Sequence, residues 1–217
     1  MKIQWIGHSC FRLTESTGTV IVTDPFGEEI GYDVPRLTAD AVTSSHDHDD
    51  HNNFAMIEGN PTIFDRHGVF DFRGVKITGI ESMHDECEGK KRGGNIIYKF
   101  RMDGLDICHL GDIGHEVTPK LLDLLLPVNV LMVPIGGVYT IDAEQAKEYV
   151  DALMPDIVLP MHYKTKSLNL DIERRDNFVR LFEEEDVVES DSDTLELDRD
   201  DMDNESTKVV LLSRMKK

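Results

Sequence analysis

Short runs that alternate apolar and polar side chains, broken by turn-forming residues, occupy the first hundred positions of the chain. The runs of strand length are Lys2 to Ile6, Cys10 to Thr14, Thr19 to Thr23, Ala41 to Ser44, Val75 to Met83 and Asn95 to Met102. A period of two sends successive side chains to opposite faces of a sheet, and segments such as Glu15-Ser16-Thr17-Gly18 supply tight connections. The first half therefore reads as sequential strands.

The pattern changes in the second half. Thr118-Pro119 is an N-cap followed by proline at the first helical position, opening a helix with Leu121, Leu122 and Leu125 on one face. Asp142, with Gln145 three residues on, has the form of a capping box, and Ala146, Tyr149, Val150 and Leu153 keep helical spacing after it. A further helix is predicted over Glu173 to Glu184, with Phe178, Leu181 and Phe182 inward. Between these helices, Asn129 to Val133 and Ile157 to Leu159 are continuous apolar runs, as in strands buried on both faces. Strands followed by alternating helices and buried strands indicate an α/β protein with layers on both faces of its sheets.

The length of 217 residues suits a single domain spanning 1–217, with 40% hydrophobic residues and a mean hydropathy of −0.32. Lys and Arg number 23 against 42 Asp and Glu, a formal charge of −19. The acidic segment 183–205 carries 13 acids and one base, Arg199, and so accounts for −12 of that total. Nucleic-acid binding draws on basic side chains, which leaves a nucleic-acid partner unsupported. No run approaches the roughly 18 apolar residues of a membrane span. The N-terminus lacks the features of a secretory leader, and Cys10, Cys87 and Cys108 form no CxxC pair, so a reducing cytoplasm is expected.

Candidate chemistry is concentrated in Ser44-Ser45-His46-Asp47-His48-Asp49-Asp50-His51-Asn52, which contains His46-x-His48-x-Asp50-His51 directly after a predicted strand. In extended chain His46 and His48 project to one side, where they can grip one ion. As the chain turns, Asp50 and His51 can point back toward a second. Imidazole with carboxylate suits divalent transition metals, whereas calcium or magnesium would favour an all-oxygen set. There is no GxGxxG after a strand and no GxxxxGK[ST], and Gly7-His8-Ser9-Cys10-Phe11 lacks the second glycine of a nucleophile elbow.

This pattern, followed in order by His84, Asp112 and His162, resembles the signature of the metallo-β-lactamase superfamily. The stretches Gly7-His8-Ser9, Thr23-Asp24-Pro25-Phe26, Arg92-Gly93-Gly94-Asn95 and Pro134-Ile135-Gly136-Gly137 are similar to its small UlaG-like metal-dependent hydrolases. The resemblance implies a four-layer αββα sandwich. It implies one metal on His46, His48 and His84, another on Asp50, His51 and His162, and Asp112 bridging them. Asp50 and Asp112 would be catalytic as well as ligating. The implied cofactor is a pair of divalent ions, zinc foremost with manganese or iron as alternatives, and the implied reaction is attack by a metal-bound hydroxide on a small anionic lactone, ester or phosphoester.

Other residues are open to two readings. Asp24 resembles the family's aspartate that orients the metal loop, or it starts the turn into Pro25. His8, His109 and His115 are expected to be structural, and His67 has no supporting context. Lys90, Lys91 and Arg92 form either a solvated loop or an attractant for a substrate anion; Arg92 and Lys164 are the expected substrate contacts. The competing functions are a metal-dependent nuclease of the same superfamily, which the charge disfavours, and a non-catalytic metal-binding module.

Overall fold

Neighbouring residues of a strand face opposite ways, and the strands of this chain use both directions. In the computed structural model, which describes residues 1–202 and 206–215, Phe11, Leu13, Ile21 and Ala41 join one apolar cluster. Their neighbours Cys10, Val22 and Val42 join a second. These strands belong to a six-stranded sheet in the order Thr194–Glu196, Lys2–Gly7, Cys10–Thr14, Val20–Thr23, Ala41–Thr43 and Thr62–Phe64. Its first four strands pair antiparallel and its last two join in parallel.

The second sheet has eight strands in the order Val187–Glu189, Lys208–Leu211, Ile157–Met161, Val130–Pro134, Leu105–His109, Gly94–Met102, Val75–Met83 and Gly68–Phe72. Its antiparallel end is built from consecutive hairpins, and its other end is parallel. Val130–Pro134 is buried at every residue, the burial expected of a parallel strand covered on both faces. The larger cluster takes side chains from both sheets, Ile3, Leu13, Ile77, Ile97 and Phe100 among them, and extends to the helices on the outer face of the second sheet.

Those helices are Pro119–Leu125 and Ala143–Leu153, each with the predicted cap. Thr118 accepts from Leu121 N–H, and Asp142 and Gln145 form the reciprocal box. On the outer face of the first sheet, the 3-10 turns Glu28–Ile30 and Phe54–Met56 supply Ile30 and Met56 to the second cluster. The chain is thus an α/β sandwich of two packed sheets.

The helix expected over Glu173 to Glu184 is reduced to Asp176–Val179. Glu173 is already committed elsewhere: its N–H donates to Gly136 O and its carbonyl accepts from Lys164 N–H. Beyond Phe182, which packs on Phe178 at 4.9 Å between ring centroids, four consecutive acids would sit at a helix C-terminus, where the dipole opposes them. The acidic segment 183–205 holds two edge strands instead, Val187–Glu189 on one sheet and Thr194–Glu196 on the other, so like charges guard both edges against strand addition. Its last three residues, 203–205, lie outside the described residues. No helix of the described residues is long and apolar enough to cross a membrane.

Candidate metal centre

Strand ends from both sheets converge on one point. The loop after Ala41–Thr43 carries His46, His48, Asp50 and His51; His84 follows Val75–Met83, Asp112 follows Leu105–His109, and His162 follows Ile157–Met161. The carboxyl ends of strands in α/β sheets are where loops assemble such sites. All seven residues proposed as ligands come together here. Their donor atoms form three groups, each within 4.8 Å: His46, His48 and His84; His46, His51 and Asp112; and Asp50, His51 and His162 with an additional member, His8.

Asp112 is the common point. Its Oδ2 lies 3.3 Å from His51 Nε2, 3.5 Å from His84 Nε2 and 3.1 Å from His162 Nε2, and the residue is 2% exposed. Asn95 places it: Asn95 Oδ1 accepts from Asp112 N–H at 2.9 Å, while its amide donates to Ser82 Oγ and Leu110 O. Gly111, at φ 58°, brings the backbone so close that a Cβ would stand 2.3 Å from Asn95 Oδ1 and 2.6 Å from Ser45 Cβ. Sequence reasoning missed Asn95, although it sits in the Arg92-Gly93-Gly94-Asn95 stretch.

Asp24, fully buried, accepts from Ser45 N–H at 2.8 Å, Ser45 Oγ at 2.6 Å and His51 Nδ1 at 2.8 Å. It therefore orients the loop rather than merely starting a turn. Ser45 Oγ, having donated to Asp24, accepts from His46 Nδ1 at 2.9 Å. Both contacts engage Nδ1 and turn Nε2 of His46 and His51 into the cluster, the orientation a metal requires. Neither Nε2 has a hydrogen-bond partner among the described residues, nor does Asp112 Oδ1. Orphaned buried acceptors made of imidazole and carboxylate fit a divalent transition ion.

The electrostatics agree. Burial alone would lower the His51 pKa, but Asp112 and Asp50 outweigh it and push the imidazole well up, so this cluster draws in positive charge. Burial would likewise raise Asp112, but His162 and His51 hold it far below the carboxylate range. His46, less tightly paired with carboxylates, is lowered to about 3 by burial and by His51. His8 is lowered to about 4 by burial and His162.

The substrate residues divide. Arg92 lines a cavity of about 290 Å³ together with His48, Asp50, His84, Asp112, Tyr139 and His162. Its guanidinium donates to Val138 O at 2.8 Å and lies 5.5 Å from the Tyr139 ring centroid. Lys164, expected beside it, does not line this cavity; its Nζ donates to Leu170 O at 2.5 Å, since the backbone of 164–173 folds that ammonium onto its own loop. Lys90 pairs with Glu88 and Lys91 with Glu86, which neutralises them. His109 is structural, donating from Nε2 to Ser9 O at 2.8 Å while Nδ1 accepts from Gly111 N–H. His115 donates to Glu116 O, and His67 pairs with Glu81 at the surface.

Asp85 holds the Arg92 loop. Its carboxylate accepts from the N–H groups of Cys87, Gly89, Lys91 and Arg92 at 2.7 to 2.9 Å. Desolvation raises its pKa, yet these four donors hold it at about 2. Asp85→Ala is expected to open the loop, so that limited trypsin digestion cuts after Lys90 or Lys91 about tenfold faster than in the unaltered protein. An unchanged digestion rate would show that the loop stands without Asp85.

Known proteins match this arrangement. A family model described as the beta-lactamase superfamily domain matches residues 2–162. A UPF0173 metal-dependent hydrolase of Thermococcus onnurineus strain NA1 is 31% identical over 193 residues, covering 76% of this chain and 85% of that protein. Another, from Thermoplasma acidophilum, is 29% identical, covering 77% and 85%. A crystal structure of a metallo-beta-lactamase superfamily protein from Thermotoga maritima superposes with a TM-score of 0.80 and 39% identity over 97% of both chains. The sandwich, the converging strand ends and these relatives together make the chain a metal-dependent hydrolase belonging to the beta-lactamase superfamily.

Proposed function

We propose that the chain is a binuclear hydrolase of small anionic lactones, esters or phosphoesters. The observation that carries this reading is the grouping of His46, His48 and His84 on one side of Asp112 and of Asp50, His51 and His162 on the other. One ion would be held by the first three and another by the second three, with Asp112 between them. Bound divalent ions supply Lewis acidity for the attacked oxygen and lower the pKa of water. The His/Asp donor set favours zinc and admits manganese or iron. The Thermotoga maritima relative is described as Zn-dependent.

The chain's own groups have separable tasks. Asp24 and Ser45 fix the rings of His51 and His46. Asp50, whose Oδ2 lies 3.2 Å from His8 Nε2 and 3.5 Å from His51 Nε2, is drawn to its charged form and complements a cation. Arg92, tethered at the mouth by Val138 O and the Tyr139 ring, would meet the anionic group of the substrate. A cavity of about 290 Å³ is of a size that takes a small molecule, and the charge of −19 disfavours a nucleic-acid strand. Buried thiols at Cys10 and Cys108, neither of them paired, suit a reducing cytoplasm.

The test is metal analysis of protein purified without chelator, joined to a panel of lactones, thioesters, phosphodiesters and β-lactams. The expected result is two transition-metal ions per chain and turnover confined to small anionic lactones, esters or phosphoesters. Fewer than one ion per chain would end the binuclear reading. Full metal without turnover would favour the metal-binding module, and turnover of phosphodiesters in nucleic acid would favour the nuclease.

A further inference from the structure

His8 stands outside the HxHxDH pattern and its three distant partners, yet it belongs to one of the donor groups. It occupies the turn between Lys2–Gly7 and Cys10–Thr14 and is 1% exposed. The pairing of these two strands shifts register between Trp5 and Gly7, an irregularity of the kind that re-aims a side chain. His8 itself has φ 54°, in the left-handed region where a non-glycine residue is strained. Gly7, at φ 142°, makes that turn possible; a Cβ there would stand 2.9 Å from the Tyr32 ring.

The strained turn is pinned from two sides. Trp5 Nε1 donates to His8 O at 3.0 Å, and His162 N–H donates to the same oxygen at 3.4 Å. The ring that results lies 4.2 Å from the His162 ring and 5.2 Å from the His51 ring, centroid to centroid, and Nε2 is 3.2 Å from Asp50 Oδ2. A buried ring held in costly backbone against three other donors has the geometry of a ligand.

We infer that His8 is a fourth protein ligand of the ion held by Asp50, His51 and His162, which makes the two metal positions unequal and the His8 position the first to fill. This rests on the binuclear reading above. The inequality follows from the residues themselves. His8, His51 and His162 are at most 1% exposed, whereas on the other side His48 is exposed and His46 half-buried. The position with more donors and less water binds more tightly. The cavity that Arg92 lines reaches both positions, through Asp50 and His162 on one side and His48 and His84 on the other, so the difference between them lies in the added donor and in the exposure of His48.

The experiment is a cobalt(II) titration of the metal-free full-length protein, followed by visible absorption and by proton NMR of the hyperfine-shifted ring N–H signals. The variants are His8→Ala and His8→Gln, the latter keeping an amide donor for Asp50. The unaltered protein is expected to bind cobalt in two steps. Both variants should weaken the first step by about ten- to a hundredfold and lose one shifted ring N–H signal, with the second step unchanged. Two equivalents bound alike by all three proteins, with equal signal counts, would overturn the ligand role of His8 while leaving the binuclear reading standing. Recovery by His8→Gln alone would overturn it too, assigning His8 to positioning Asp50. No cobalt uptake by the unaltered protein would sink both.

Discussion

Asp112→Ala is expected to abolish turnover, a loss of about a thousandfold or more in kcat/KM, while the metal-free protein keeps its circular dichroism spectrum. The reason lies in what this side chain touches. Its Oδ2 is within 3.5 Å of His51, His84 and His162, and these are donors of both proposed ions. Removing it takes away the negative charge that both sides share. The backbone loses little, because Asn95 still accepts from the N–H of residue 112 and Gly111 still makes its close approach. Asp112→Asn should fail almost as completely, since it keeps the shape and removes the charge. Rates within a factor of two of the unaltered protein in either variant would take Asp112 out of the reaction.

Stripping the metal should cost stability as well as activity. A site saturated at a thousand times its dissociation constant stabilises the fold by about 4 kcal/mol, and in a chain of this size each kcal/mol moves Tm by roughly 2–4 °C. A chelator is therefore expected to lower Tm by about 10 °C, with recovery on adding zinc; scanning calorimetry measures it directly. The direction follows from the buried charges. Three carboxylates, Asp24, Asp50 and Asp112, surround His51, and without a cation that imidazole must carry the compensating proton. Equal melting with and without chelator would mean that no ion contributes to the folded state.

Much of the centre was legible because it is local. His46, His48, Asp50 and His51 lie within six residues, and their spacing alone suggests two directions of ligation. The caps at Thr118 and Asp142 were legible for the same reason: each is a contact three residues long. His8 reads as structural in the sequence because its neighbours, Asp50 and His162, are remote along the chain, and the fold sets it beside them through the turn that follows the register shift after Trp5. Nearness to His162 in the sequence points Lys164 toward the substrate, but a side chain's direction depends on the loop that follows it, and that loop offers Leu170 O. The strands Val187–Glu189 and Thr194–Glu196 were hidden by acidity, since edge strands need only a backbone partner and little apolar burial.

The division of donors between the two sheets governs when the centre can exist. His8, His46, His48, Asp50 and His51 come from loops of the first sheet; His84, Asp112 and His162 come from loops of the second. Each proposed ion needs members of both. A chain emerging from its N-terminus displays the HxHxDH loop long before His162 has been synthesised, and holds only an incomplete grip on any metal it meets. Stable capture of either proposed ion would wait until the sheets have docked, which would make the ion a late acquisition that seals an assembled molecule rather than a nucleus that directs its folding. Under metal shortage such a chain would accumulate as a folded, empty hydrolase, ready to be activated by the first ions that return.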